Sequence, residues 1–389
     1  MSLRDELRAD AAQREAAQLR RQRRLHELRD GAYAHVDGQR LLNFSSNDYL
    51  GFAQHPEVIA AFRTAASEYG VGSAGSALVS GYFSAHQTLE RQAAEAFGYD
   101  AGLYVSSGYL ANIGVLQALL DERSVCVQDK LNHACLLDGA RFSGARLKRY
   151  AHGDNDGAET LCAEAAGNRL FLASDGVFSM DGDAADLPAL TRIAKRHDAT
   201  LMIDDAHGVG VCGETGMGSL QASGLSAEDV PILIVPVGKA LGGQGALILS
   251  YHDVIGHLVE TARPYLFSTA PAPAMAAALS VSLNLLQHEP EHHAALQTNI
   301  RHFSLLARQA GLPMLPSMTA IQPLMVGDNA RALRLAERLC VRGIWLSAIR
   351  PPTVAAGKAR LRITLTALHQ AEHIEYLVEA LHDMLQAES

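Results

Sequence analysis

The sequence predicts an α/β protein, with a large domain built on a mostly parallel central sheet and a smaller C-terminal α+β domain. Three observations carry that expectation. Between about residues 56 and 275, short and uniformly apolar runs alternate with amphipathic stretches, as in strands buried on both faces beneath covering helices. Within this region, residues 169–204 read as a strand–helix–strand unit. Beyond about residue 276 the pattern turns helical, then offers one more strand and a last helix. The chain has 389 residues, 48% of them hydrophobic, enough to bury such a core without crosslinks. The divisions that follow are an N-terminal helix and segment (1–55), a large domain (56–275) and a small domain (276–389).

Taken in order, the first thirty or so residues have the Ala, Leu, Arg and Gln content of a helix, with Leu3, Leu7, Ala11 and Ala12 on one weakly apolar face expected to pack on the body. SSGYLANIGVLQALL (106–120) is a small polar turn running into an apolar-periodic helix, and His133 in KLNHACLLDGA opens another. RLFLAS (169–174), ATLMID (199–204), PILIV (231–235) and GALILS (245–250) are the apolar strands. The helix at 186–198 (DLPALTRIAKRHD) is well marked by its Asp cap, a Pro in the first turn, and Leu187, Leu190, Ile193 and Ala194 on one side. Pro236 should end PILIV, because proline donates no ladder hydrogen bond. ARLRITL (359–365) is the late strand, and the last helix begins near His369.

Composition narrows the function. A net charge of -9 and the absence of a basic patch argue against nucleic acid as a partner. The five cysteines, at 126, 135, 162, 212 and 340, are scattered with no Cys-x-x-Cys pair, which fits a reducing cytoplasm. The N-terminus mixes both charge signs without an apolar stretch, unlike a secretory signal. The Ala- and Ser-rich run at 271–286 is shorter than the ~20 residues of a spanning helix, so no membrane segment is expected.

The chemistry-bearing residues cluster where predicted strands end. Lys239, in GKALGGQGA (238–246), stands alone between glycines directly after a buried strand. By itself it could be a surface-turn lysine; a desolvated lysine in a glycine-lined loop is also the type that forms Schiff bases. In DDAHGVGVCGETG (204–216), Asp204 sits where ATLMI ends and His207 lies one short turn on, at the edge where α/β sheets bind ligands. A carboxylate there can keep a pyridinium nitrogen protonated and a histidine can bond a ring oxygen, or both can simply cap a loop. The amides of Gly108 and Tyr109, at a helix start, suit a phosphate. His133 can lie flat over an aromatic ring, although a lone His is more often structural.

Two patterns point elsewhere and fail on context. Gly208-x-Gly210-x-x-Gly213 matches the dinucleotide fingerprint of an NAD-dependent dehydrogenase, but Asp-Asp-Ala-His separates it from the strand and ETGMG (214–218) is too glycine-rich to open a helix. His288-Glu289-Pro290-Glu291-His292 matches the zinc-hydrolase pattern His-Glu-x-x-His, yet Pro290 disfavours the continuous helix that motif needs, so a solvated loop and no metal are expected.

The order of His133, SDGVFSMDGD (174–183), DDAHGVGVCGETGMG, GKALGG and ARLRIT resembles the α-oxoamine synthases, a family of the aspartate-aminotransferase fold (fold type I of the pyridoxal-phosphate enzymes). The likeness runs from about Leu42 to the last helix. It implies that pyridoxal 5′-phosphate is carried on Lys239, which also moves protons at the substrate α-carbon. Asp204 would pair with the pyridine nitrogen, His207 and Ser179 contact the phenolate oxygen, and His133 stack on the ring. Gly108 and Tyr109 would hold the phosphate, with Ser268 and Thr269 reaching in from a second subunit, so that a homodimer shares its active sites. Arg362 would bind the amino-acid carboxylate, with Asn47, Thr353 and Arg21 as further substrate contacts.

LNFSSNDYLG (42–51), GVFSMDGD and AIRPPTVAAGKARLRITLTALH (348–369) are similar to those members that condense L-alanine with pimeloyl-CoA or a pimeloyl carrier protein in biotin biosynthesis. Glycine C-acetyltransferase and 5-aminolevulinate synthase share the core but differ at Ile349-Arg350-Pro351-Pro352. Pro236 stands where the family usually has Thr, and Ala74, Ala77 and Leu78 replace residues that are commonly Gly, Ser, Arg or His. An inactive binding paralogue would lack the lysine, which is present here.

Overall fold

The computed structural model describes residues 1–387. Contacts divide the chain into a smaller unit (1–47, 180–182 and 295–389) and a larger one (48–179 and 183–294). The sequence places its divisions at 55/56 and 275/276; the contacts instead group the N-terminal segment with the C-terminal residues. The last crossing, at 294/295, falls inside the helix Pro290–Gln309, where no change of composition marks it.

The N-terminal helix covers only Leu3–Ala16, opened by a Ser2–Asp5 capping box, and none of its residues is buried. The expected apolar face therefore stays bare, with Leu3 and Leu7 71% and 58% exposed, which corrects the expectation that it packs on the body. The two leucines do share a face, but they are continued only by alanines among charged and amide residues, too little apolar surface to hold the helix down. The chain next forms an antiparallel ribbon, β1 (His26–Asp30), β2 (Tyr33–Val36) and β3 (Gln39–Asn43).

The larger unit holds a seven-stranded sheet made of β4 (Ala101–Val105), β5 (Ser124–Asp129), β6 (Arg146–Tyr150), β7 (Arg169–Asp175), β8 (Thr200–Asp204), β9 (Ile232–Pro236) and β10 (Ala246–Ser250). Their spatial order is β4-β10-β9-β8-β7-β5-β6, and only β10 runs antiparallel to its neighbours. Each predicted apolar strand appears within one residue of its expected ends, buried as expected of a sheet covered on both faces. Val115, Leu116, Leu136, Phe171, Met202 and Ile248 belong to one core cluster of this unit. The helix Leu187–Arg196 follows its sequence signature, with the Asp186 carboxylate accepting from the Ala189 N–H at 3.0 Å.

Four further strands lie in the smaller unit. β11 (Ile321–Gly327) and β13 (Ser347–Ile349) flank β14 (Ala359–Thr364), and β12 (Ile344–Trp345) adds parallel to β3. The helix Ala371–Gln386 closes the chain. At the His-Glu-x-x-His pattern the helix Pro273–His288 stops and Pro290 starts the next. The expected solvated loop is thus a direct helix–helix junction, because proline is excluded from a helix interior but suits a first turn.

Candidate active site

The carboxyl ends of the central strands collect the reactive side chains. Register pairs Asp175 at the end of β7 with Asp204 at the end of β8, so two carboxyl groups lie side by side, 5% and 4% exposed. Burial pushes both carboxyls above the ordinary carboxylate range, and the Lys239 ammonium pulls each back. Asp204 also accepts from Asn112 Nδ2 at 2.5 Å and from the Ala206 N–H at 3.1 Å. Asp175 accepts from the backbone N–H of His133 at 2.8 Å.

His133 caps the helix Ala134–Phe142, as its sequence position suggests. Its Nδ1 lies 2.8 Å from Cys135 Sγ, and burial lowers its pKa against the opposing pull of Asp204, so the ring stays neutral. His207 is buried, with Nδ1 2.6 Å from the hydroxyl of the fully buried Tyr49. Lys239 stands in the tight turn between β9 and β10, half-buried. That turn is closed by bonds from Val237 N–H to the Gly245 carbonyl and from Gly243 N–H to the Val237 carbonyl, each 3.0 Å. Gly242 has φ +69°, and any Cβ there would overlap the backbone of Phe52 and Ala53.

The helix Gly108–Leu119 begins beside this group, capped by Ser107 Oγ, which accepts from the Leu110 N–H at 3.2 Å. Its first N–H groups are free of intrahelical partners by geometry, which suits an anion. The Pro236 ring closes over Gly108, where a Cβ would come within 2.9 Å of it. Tyr109 bonds Asp138 and stands edge-on to His133, with ring centroids 6.4 Å apart. Ser179 lies half-buried in the turn after β7.

Ser268 and Thr269 follow a short helix, in a segment tied down by Ser73 Oγ donating to the Ala270 carbonyl at 2.8 Å and by His86 Nε2 at 2.8 Å from the Pro271 carbonyl. Beside them, Val71, Leu78, Val79 and Phe267 are exposed.

The remaining predicted contacts belong to the smaller unit and fall into two pairs. Arg362, buried in β14, donates to Asn47 Oδ1 at 3.2 Å and to Thr364 Oγ1 at 2.8 Å. Arg21 donates to Thr353 Oγ1 at 2.8 Å, and both help line a cavity of about 280 Å³.

Asn112, Tyr49 and Asp175 were not singled out by sequence reasoning. The glycines of the supposed dinucleotide fingerprint serve packing instead. A Cβ on Gly208 would overlap the Asp205 carboxylate, while Gly210 packs on Ala240 and Gly213 on Gln221. Asp205 accepts from both Ser219 N–H (2.7 Å) and Ser219 Oγ (2.5 Å), which ties down the loop carrying His207.

The family model "Aminotransferase class I and II" matches residues 39–381. The chain is 50% identical over 376 residues to the 8-amino-7-oxononanoate synthase of Stenotrophomonas maltophilia, covering 96% of this chain and 92% of that protein. Among solved structures it superposes on Sphingomonas wittichii serine palmitoyltransferase with a TM-score of 0.94 at 28% identity, covering 100% and 99% of the two chains. It also matches 8-amino-7-oxononanoate synthase from Francisella tularensis, with a TM-score of 0.79, 27% identity, and 90% and 98% coverage. The chain belongs to the class I and II aminotransferase family. Within it, the relatives are 8-amino-7-oxononanoate synthases, and the fold is the type I fold that the sequence predicts.

Membership makes this a pyridoxal-phosphate enzyme of the transferase class. The residues present fit that cofactor. A fully buried carboxylate whose pKa is raised by burial is short of positive charge, and a protonated pyridine nitrogen would supply it. A lysine stands within electrostatic reach of that carboxylate, a neutral histidine beside it, and an uncovered helix start near by.

Proposed function

We propose that the chain condenses L-alanine with pimeloyl-CoA or a pimeloyl carrier protein, releasing the thiol and carbon dioxide and forming 8-amino-7-oxononanoate for biotin biosynthesis. The observation that carries this reading is the group Lys239, Asp204, Asn112, His133 and His207 gathered at the carboxyl edge of one sheet, in a chain whose relatives are so named. Pyridoxal phosphate, when bound, supplies an electron sink for the carbanion at the amino-acid α-carbon.

Each residue then has a defined task. Lys239 carries the cofactor and takes the α-proton of alanine once displaced. Asp204 sets its carboxylate at the pyridine nitrogen, with Lys239 and the Asn112 amide both favouring the ionised form. Tyr49 donates to Nδ1 of His207, which leaves Nε2–H to donate, with Ser179, to the phenolate oxygen. His133 stays neutral and flat against the ring. The amides of Gly108 and Tyr109 receive the phosphate, joined by Ser268 and Thr269 of a second copy. Arg362, held by Asn47, receives the alanine carboxylate, and Arg21 with Thr353 contacts the acyl substrate.

The exposed Val71, Leu78, Val79 and Phe267, adjoining Ser268 and Thr269, suit burial against that second copy and support a homodimer. Among the described residues no helix is long and apolar enough to cross a membrane.

The test is chemical. Purified protein should be yellow, and borohydride should fix the cofactor onto the peptide containing Lys239. Lys239→Ala should release no carbon dioxide from L-alanine and pimeloyl-CoA. Wild type that stays colourless with added pyridoxal phosphate rejects the reading; turnover of glycine with acetyl-CoA in preference to alanine redirects it to a sister activity.

A further inference from the structure

Outside the active site, one cluster has the make-up of a metal centre. His55 precedes the helix Pro56–Tyr69, and Glu289 and His292 flank Pro290 at the junction of the two long helices. All three belong to the larger unit. One donor atom from each lies within 4.8 Å of the other two. His292 Nε2 is 3.4 Å from Glu289 Oε2. Tetrahedral zinc, with ligands at about 2.0–2.2 Å, separates its ligand atoms by roughly 3.3–3.5 Å, so that pair already stands at the required spacing. His55 supplies the third donor, from a separate stretch of the chain.

A second observation is independent of these distances. His55 Nδ1 is buried and has no hydrogen-bond partner. Its side chain does not cap the helix it precedes, although the backbone there has the extended conformation of a capping residue. A buried ring nitrogen without a partner is costly, and a coordinated cation is one way to satisfy it. The fully buried Phe52 stands edge-on to both imidazoles, with centroids 6.1 Å from His55 and 5.1 Å from His292, and restricts their rotation.

We propose that His55, Glu289 and His292 bind a zinc-type divalent cation, with water in the fourth position. Two imidazole nitrogens and one carboxylate oxygen, without thiolate, are a donor set for zinc rather than for calcium or copper(I). All three residues are half-buried, which leaves solvent a way to the open position. The motif's first histidine, His288, is not part of the set: the helix ends there, and His55 from a distant stretch takes its place. The cation would pin the segment 52–55 to the helix junction. That segment is the backbone against which Gly242 of the Lys239 turn is packed, so the site is a structural clamp behind the turn and takes no part in the reaction.

The test uses holoenzyme freed of unbound cofactor, which itself chelates zinc, and stripped of metal by a chelator. Zinc titrated against a chromophoric competitor should reveal one tight site per chain. In His55→Ala and His292→Ala its affinity should fall by more than the ~10–100-fold that loss of an outer-shell partner costs a metal site. Cobalt(II) should give the intense visible bands of a tetrahedral centre in wild type and not in the variants. Crystals of wild type soaked in zinc should show an anomalous peak bonded to His55, Glu289 and His292, a readout that does not depend on the variants folding. Equal zinc binding by wild type and both variants, or an anomalous peak at other residues only, overturns the proposal.

Discussion

Asn112 shows how much a single amide can decide. It is fully buried on the helix Gly108–Leu119, one turn beyond Gly108, and its Nδ2 reaches Asp204 while its Oδ1 has no partner. The bond favours the charged carboxylate against a burial that opposes it. A hydrogen bond to a charged group contributes about 1.5–3 kcal/mol. Asn112→Ala should therefore keep its cofactor but lose roughly 10- to 150-fold in kcat, measured with L-alanine and pimeloyl-CoA; near-normal turnover would show that Asp204 stays ionised without it. Asp204, His207, His133 and Lys239 were legible because each stands at a strand end or loop where a polar residue is conspicuous. Asn112 and Tyr49 were not, since a lone Asn in an apolar-periodic helix looks like a position on its outer face, and only the fold brings Tyr49 to His207. Arg21 meets Thr353 across more than three hundred residues, a pairing that neither the resemblance nor any local pattern specified.

At the scale of elements, strand β9 is the informative case. Its last residue is Pro236, opposite Ala246, so the proline terminates the strand as expected without costing an interior ladder bond. The ring fills the space above Gly108 and offers no hydrogen-bond donor to a phosphate. Pro236→Thr should bind pyridoxal phosphate about 10- to 100-fold more tightly, the equivalent of one charged hydrogen bond. Titration of the two apoproteins decides it, and equal or weaker binding in the variant would mean that the ring's packing on Gly108 matters more than a hydroxyl. Ala74 has φ +57°, a conformation natural to glycine and strained for alanine. Element limits were readable wherever capping and apolar patterns agreed, as at Asp186. They failed at the N-terminus, where helix-forming composition extends past Ala16 into residues that the ribbon partners claim as strand.

At the scale of the whole molecule, two buried groups pull stability in opposite directions with pH. His369, in the smaller unit, stacks on Phe44 and accepts the Thr366 N–H at Nδ1, and burial lowers its pKa to about 3. The unfolded chain binds the proton more readily, so this contribution is complete above pH ~6.5 and is lost as pH falls from there through 3. Glu90, in the larger unit, accepts from Tyr82 Oη and the Tyr104 N–H, and burial raises its pKa to about 7. Here the folded state holds the proton, so stability is greatest below pH ~4.5 and is lost as pH rises through 7. Each group changes stability by roughly 1.4 kcal/mol per pH unit inside its window. Between pH ~6.5 and ~4.5 acid should loosen the smaller unit while favouring the larger. Hydrogen exchange should accordingly lose protection around 359–374 before 84–105 on acidification; His369→Gln should abolish the first effect and Glu90→Gln the gain in the second. Simultaneous loss in both regions would contradict the assignment.

The Asp205 carboxylate, finally, sits where Gly176, Gly208 and Gly218 approach so closely that a Cβ on any of them would collide with it. Shortening Asp205 would in turn leave the N–H and hydroxyl of Ser219 without their acceptor. The four positions are therefore a lock on sequence drift. A lineage altering one residue at a time meets a penalty at every first step, whichever member it tries. The turn carrying Gly176 and the loop that presents His207 are thus constrained together, and a random library built over the four positions should return the parental residues long before it returns a substitute.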